Sequence, residues 1–160
     1  LETIRAGQPF TVVVDYAHTH ESLEKLLELF RSLTKGRLFL VFGATGGGRD
    51  KAKRAEMGKI AARYADFIVV TDDDPYTEDR MSIIEQVAAG TGRKEGKNLW
   101  KIRDRRQAIR LALSMAKEQD AVLIAGKGCE PIQMVGTERT PWDDRKVARE
   151  ILSSALQVKL

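Results

Sequence analysis

A chain of 160 residues is long enough to bury one core and too short for two ordinary domains joined by a linker. Hydrophobic residues at 42% and charged residues at 31% make a soluble globular balance, and nowhere do eighteen apolar residues run together as a membrane span requires, so no membrane partner is expected. The net charge is only +4, the single cysteine (Cys129) excludes an internal disulfide, and no apolar segment follows a basic start near Leu1; the expectation is a cytoplasmic protein.

Apolar runs of strand length recur along the chain, at residues 11–14, Leu38–Phe42, Phe67–Val70, residues 99–102 and Ala121–Ala125. They are nearly free of alternation, which is the mark of strands buried on both faces. After the first run, Thr19 is placed to cap a helix whose apolar stripe is Leu23, Leu26, Leu27 and Phe30. The second run leads through a glycine-rich loop to a stripe of Met57, Ile60, Ala61 and Tyr64. The third is followed by Asp72, Asp73 and Asp74, a cap at Thr77, a first turn carrying Glu78 and Asp79, and a stripe of Ile83, Ile84 and Val87. Residues 91–97 are the most loop-like internal stretch; beyond the fourth run, Asp104 caps a helix with Ile109, Ala112, Leu113 and Ala116 inward. After the fifth run the alternation breaks, because residues 132–135, a turn at 136–139 and Thr140 read as a hairpin before a last helix over 144–156. The fold class expected is therefore α/β: a Rossmann-like doubly wound, mostly parallel sheet with an antiparallel edge near the C-terminus.

Eight basic residues crowd one stretch: Arg93, Lys94, Lys97, Lys101, Arg103, Arg105, Arg106 and Arg110. Only Trp100 interrupts them, and no groove-reading or base-stacking motif accompanies them, so the stretch reads as a solvated face with no nucleic-acid partner.

In an open parallel sheet ligands gather at the carboxyl ends of the strands, and here those positions are polar. The runs lead into Asp15-Tyr16-Ala17-His18-Thr19, the segment 43–54, the segment 71–77 and Gly126-Lys127-Gly128-Cys129-Glu130, so four loops are expected to meet on one rim. The second loop, G-A-T-G-G-G-R-D-K-A-K-R, joins glycines that let a ligand approach backbone to a cationic helix start suited to phosphate or carboxylate. It matches neither the P-loop nor G-x-G-x-x-G; glycines that merely make tight turns are the plainer alternative, made less attractive by Arg49, Lys51, Lys53 and Arg54. Three adjacent aspartates repel, and a cationic partner would relieve them. His18 and His20 have no cluster of further ligands, so no metal site is expected, and Cys129 reads as a small buried thiol rather than a nucleophile.

Taken together and in order, D-Y-A-H-T, G-G-G-R-D-K-A-K-R, T-D-D-D-P, G-K-G-C-E and the W-D-D-R ending at Trp142–Arg145 resemble the carboxy-terminal domain of the Mur ligases, nearest to the MurE type of UDP-N-acetylmuramoyl-peptide ligase. The resemblance covers nearly the whole chain, residues 1–160. It implies one domain of a larger enzyme whose amino-terminal and central ATPase domains lie outside this chain. In the implied reaction ATP phosphorylates the terminal carboxylate of a UDP-muramoyl dipeptide and the amine of an incoming amino acid attacks the acyl phosphate. Mg²⁺ would be held mainly by the central domain, and this domain alone is expected not to turn over ATP. By motif position, Asp15, Tyr16, His18 and Lys51 would contact ATP, and Arg49, Asp73, Asp74, Tyr76, Gly126 and Glu130 would surround the amino acid.

Three departures stand out. The family's D-N-P-R is Asp73-Asp74-Pro75-Tyr76 here, which removes the guanidinium associated with diaminopimelate; with Asp74 and Glu130 retained, a cationic side chain such as lysine or ornithine is favoured. Cys129 stands where the family has histidine, and Gly48 where aspartate is frequent. Folylpolyglutamate and cyanophycin synthetases share the domain plan and remain alternatives, as does a non-catalytic nucleotide-binding α/β module.

Overall fold

The computed structural model describes residues 1–48 and 51–158. Its elements are β1 (Glu2–Thr3), β2 (Thr11–Asp15), α1 (His20–Leu33), β3 (Leu38–Phe42), α2 (Lys51–Tyr64), β4 (Phe67–Val70), α3 (Arg80–Thr91), β5 (Leu99–Lys101), α4 (Arg105–Met115), β6 (Ala121–Ala125), β7 (Ile132–Val135), β8 (Glu138–Pro141) and α5 (Asp144–Val158). Six strands form one sheet in the order β1-β2-β6-β3-β4-β5, parallel throughout except where β1 pairs with β2. Register sets Val13 beside Leu123 and Leu123 beside Leu40, so side chains alternate between two cores. Val13, Leu40, Ile68 and Leu123 pack under α1, α2 and α3, while Val12, Val14, Val41, Val69 and Ile124 pack under α4 and α5. Both faces are covered, and that is why the strands show no polar alternation in sequence.

The expected antiparallel hairpin forms as β7 and β8, a two-stranded sheet of its own whose turn closes at Gly136-Thr137. The six-stranded sheet also ends on an antiparallel neighbour, because β1 adds Glu2 and Thr3 to β2; two residues are too few to leave a periodic trace. Thr19 caps α1 in a reciprocal box with Ser22, and Asp104 caps α4 through the Gln107 amide. The cap of α3 is Asp79, not Thr77. The reason is tertiary: Tyr76 turns through φ +52 to bridge Val135 of the hairpin, and the helix starts only once the chain has recovered from that turn. Glu78 is consequently left outside the helix and pairs with Arg54.

The basic stretch is only partly a solvated face. Lys94, Lys97, Arg103 and Arg110 are exposed, Lys101 pairs with Glu85 and Arg106 with Glu150. Arg93, however, spends its guanidinium on the carbonyls of Ala62 and Ala65 at the end of α2, at 3.1 and 2.8 Å. Arg105 is fully buried and forms a two-pronged ion pair with the equally buried Asp144. Among the described residues no helix is long and apolar enough to cross a membrane.

Candidate functional site

The carboxyl ends of β2, β3, β4 and β6 face the same way, and close backbone contacts tie their loops together. The Gly126 amide donates to Asp15 O at 3.1 Å, and the Gly46 amide to Asp74 O at 2.8 Å. A methyl group on Gly46 would overlap the Pro75 carbonyl, and one on Gly126, at φ +114, would sit 2.6 Å from an Asp73 carboxylate oxygen. Only glycine permits these approaches. The expected meeting of four loops on one rim is what the fold produces.

At its centre lies a carboxylate cluster with an internal cation. Lys127 is fully buried, and its Nζ donates to Asp74 Oδ1 at 2.8 Å and Glu130 Oε2 at 3.2 Å, with Asp73 Oδ1 at 3.8 Å. Burial by itself pulls the Lys127 ammonium down, but Asp73, Asp74 and Glu130 outweigh burial and hold it above its ordinary value. Asp74 Oδ1 also accepts from the Met134 amide, and Gln133 Nε2 donates to the Asp73 carbonyl, so β7 braces the loop from below. Asp72 is buried and paired with Arg80; burial raises its pKa and Arg80 opposes the shift. The three aspartates thus have the cationic partners their repulsion demanded, supplied by this chain's own Lys127, Arg80 and Arg105.

Burial pushes Asp73 up to about 6, with Arg105 and Lys127 pulling the other way. A carboxyl raised in the folded state gives stability that is complete below the unfolded pKa of 3.8 and is lost as pH rises through about 6. Asp73→Asn is therefore expected to stabilise the chain above pH 6 by on the order of 2 kcal/mol and to flatten the fall in stability between pH 4 and 6, read by urea unfolding across pH. A variant whose pH dependence matches the parent would show that Asp73 is not the buried titrating group.

Tyr16 stands over this cluster, exposed, with Gly128 packed against its backbone. The Glu130 carboxylate beside it raises the phenol above its usual range. The Tyr16 ring lies 4.5 Å from that of His18, whose Nδ1 is 3.0 Å from Tyr16 O, and Asp15 Oδ1 accepts from the Ala17 amide at 2.8 Å. His18 in turn lines a cleft of about 290 Å³ with Thr19, His20, Thr45, Lys53 and Arg54. Two buried nitrogens of the cleft residues, His20 Nδ1 and Arg54 Nε, have no hydrogen-bond partner among the described residues. Such a lining fits a polyanion such as a nucleotide's phosphates. Among the described residues no group of three or more His, Cys, Asp or Glu side chains is placed so that it could hold a metal ion.

Of the candidates read from sequence, Asp73, Asp74, Gly126 and Glu130 converge on one cluster, Asp15 and Tyr16 adjoin it, and His18 leads into the cleft. Lys51 opens α2 on the side of Glu78, while Lys53 and Arg54 line the cleft. Tyr76 is partly exposed and sits at the hairpin, its ring 3.8 Å from where a Gly47 side chain would begin. Arg49 lies outside the described residues. Cys129 is exposed, contrary to the expected buried thiol, because the turn at Gly128 directs Lys127 inward and its neighbour outward.

Three charged residues that shape the rim were not among the site candidates read from sequence: Lys127, Arg54 and Arg105. Arg54 is almost fully buried; it forks onto Glu78 at 2.5 and 3.0 Å and donates to Thr45 O, while Glu78 also accepts from the Gly48 amide. That pairing drives Glu78 down to about 2 and pins the glycine-rich loop to the approach to α3. Their signal was present as the lysine between two glycines, the last arginine of R-D-K-A-K-R and the arginine after a helix cap, but nothing local distinguishes a buried cation from a surface one.

Comparison with known proteins agrees with this geometry. The chain is 47% identical over 156 residues to a UDP-N-acetylmuramyl-tripeptide synthetase of Roseiflexus sp. (strain RS-1), covering 96% of this chain and 30% of that protein. It is 49% identical over 151 residues to a UDP-N-acetylmuramoyl-L-alanyl-D-glutamate--2,6-diaminopimelate ligase of Syntrophomonas wolfei, covering 94% of this chain and 31% of that one. A solved diaminopimelate ligase structure superposes with a TM-score of 0.88 at 33% identity, over 97% of this chain and 31% of that chain. An isolated domain crystallised from a Haemophilus ducreyi protein shares the fold, with a TM-score of 0.61 and 98% of both chains covered. The chain spans about a third of the length of the curated relatives it matches. The family described as Mur ligase, glutamate ligase domain, matches residues 1–128, and the chain belongs to that family.

Proposed function

We propose that this chain is the carboxy-terminal domain of an ATP-dependent carboxylate–amine ligase that adds the third stem residue to a UDP-N-acetylmuramoyl dipeptide in the cytoplasm. Its task is to hold the incoming amino acid and one side of ATP against the domains that carry the phosphoryl chemistry. The observation that carries this reading is the rim itself: an anionic cluster of Asp73, Asp74 and Glu130 around Lys127, next to a cleft lined by nitrogen-bearing side chains of His18, Lys53 and Arg54. Carboxylates suit an amine and nitrogen donors suit phosphate oxygens, and this rim sets the two side by side.

In this reading Asp74 and Glu130 hold the ammonium of the amino acid, and Arg49, by its motif position, clamps the α-carboxylate with its planar fork. Gly126 keeps the backbone low enough for the amino acid to reach Asp73. Asp15, Tyr16, His18 and Lys51 steady ATP from the other side. ATP supplies the phosphoryl group that activates the dipeptide carboxylate, and Mg²⁺ is held outside this domain. What this domain contributes is proximity and closure, holding the amine in line with the acyl phosphate and excluding water from it.

The side chain of the added residue is proposed to be cationic, lysine or ornithine, because Tyr76 carries no charge and the carboxylates of Asp74 and Glu130 are retained. Diaminopimelate is the second reading, favoured by the names of the relatives from Syntrophomonas wolfei and Geobacillus kaustophilus. Phosphate release by the full-length enzyme, with UDP-muramoyl dipeptide, ATP and each amino acid in turn, decides between them. A preference for lysine or ornithine is expected; a clear preference for diaminopimelate overturns the side-chain proposal, and release independent of any amino acid overturns the ligase reading. The 160-residue chain alone is expected to turn over no ATP.

A further inference from the structure

Lys127 is the deepest charge in the cluster, and its surroundings grade outward from it. Side-chain exposure rises from 0% at Lys127 through 5% at Asp73 and 14% at Asp74 to 34% at Glu130. The cation is thus sealed beneath the rim, and the carboxylates that share it open progressively toward solvent. An ammonium has three donors; two are spent on Asp74 and Glu130, carboxylates from loops 53 and 3 residues away in the chain. Stability is a poor reason for such a group, since buried ion pairs are often replaceable by apolar side chains without loss. A positive charge held between Asp74 and Glu130 fixes their separation and leaves their more exposed edges facing the rim.

We propose that Lys127 is a positioning residue, an internal counter-cation that holds Asp74 and Glu130 apart and charged as a preformed receptor for the ammonium of the incoming amino acid. This rests on the ligase reading above and names how its amine site is built. Without Lys127 the two carboxylates lose their common tether, and one of them takes up a proton shared with its neighbour, so the receptor is lost before the substrate arrives. The other charged groups bearing on the cluster are Arg105 and Asp144 behind Asp73, Asp72 with Arg80 below it, and the Tyr16 phenol at Glu130. All of them remain in a Lys127 variant, so a change in pH dependence is assignable to the lysine.

The test is steady-state kinetics of the full-length enzyme carrying Lys127→Gln or Lys127→Arg, with the unsubstituted enzyme and its preferred amino acid as reference. Lys127→Gln is expected to raise KM for the amino acid at least tenfold while KM for ATP stays within about twofold, and to move the acid limb of kcat/KM upward in pH. Upward is the required sign, because carboxylates deprived of a cation protonate at higher pH. Lys127→Arg, which keeps the charge, is expected to recover part of the loss and return the acid limb toward the parent. Unchanged amino-acid KM and pH profile in Lys127→Gln overturn the proposal, and so does an equal rise in both KM values, which is what a merely structural role would produce. Should neither variant fold, the ¹⁵Nζ resonance of Lys127 in the unsubstituted enzyme takes their place: it is expected to shift on titration with lysine or diaminopimelate, and no shift at saturation overturns the proposal. If the unsubstituted enzyme shows no amino-acid-dependent turnover, the ligase reading fails instead and this inference falls with it.

Discussion

Replacing Arg105 with alanine is expected to cost the domain about 3–5 kcal/mol, the usual penalty for stripping one partner from a buried ion pair. Arg105 Nε and Nη2 each donate to Asp144 at 2.8 Å, Nη1 donates to Asp72 O at 2.9 Å and Nη2 to Ala125 O at 3.1 Å. Asp144 also accepts from Trp142 Nε1 at 2.8 Å. One guanidinium therefore joins the starts of α4 and α5 to the ends of β4 and β6, directly behind the candidate site. Alanine leaves the Asp144 charge uncompensated and two carbonyls without donors in a place water does not reach. A loss of this size corresponds to a fall in Tm of roughly 10 °C for a domain of this length. The double variant Arg105→Met with Asp144→Leu removes both charges and is expected to regain most of the lost stability. Urea unfolding of the 160-residue chain measures all three proteins. A cost below about 1 kcal/mol for Arg105→Ala would mean the pair does not hold the sheet end together.

The second large effect concerns position rather than stability. Gly46→Ala is expected to lower kcat/KM of the full-length enzyme by about 100-fold, the scale associated with a displacement of about 1 Å in a reacting assembly. Its amide is bonded to Asp74 O, and its α-carbon lies so close to the Pro75 carbonyl that a methyl group has no room. The glycine-rich loop and the aspartate loop must then part, which separates the proposed phosphate and amine sides of the rim. Gly92→Ala is the control for a glycine unrelated to the rim: it ends α3 at φ +68 with nothing near the added methyl group. It is expected to lose about 1 kcal/mol of stability through backbone strain and to leave kcat/KM near the parent value. Equal activity losses in both variants would mean that general destabilisation, not loop contact, is responsible.

The elements of this fold were legible because each rests on a local signal. Uninterrupted apolar residues at Leu38–Phe42 and Ala121–Ala125 read as strands covered on both faces, and both lie in the centre of the sheet. Thr19 and Asp104 announced their helices because capping depends on a side chain and an amide three residues on. Thr77 misled for the opposite reason: its claim to cap α3 was overridden by the bridge from Tyr76 to Val135, a contact 59 residues away in the chain. The two-residue β1 was invisible because a strand so short carries no period.

Local signals were enough for the α/β class, the order of the elements and the four polar loops that belong on one edge, since periodicity, caps and turn residues act over a few neighbours. Which charges face solvent and which are spent inside was settled only by the packing of distant segments. Arg105 and Arg106 are adjacent in the chain, yet one is buried against Asp144 and the other reaches Glu150 at the surface. Lys127 and Cys129 are two residues apart, and the lysine is sealed while the cysteine faces solvent. Whether a cation meets water or a carboxylate depends on sheet register and on loops brought together from distant segments, and no local pattern encodes that distance.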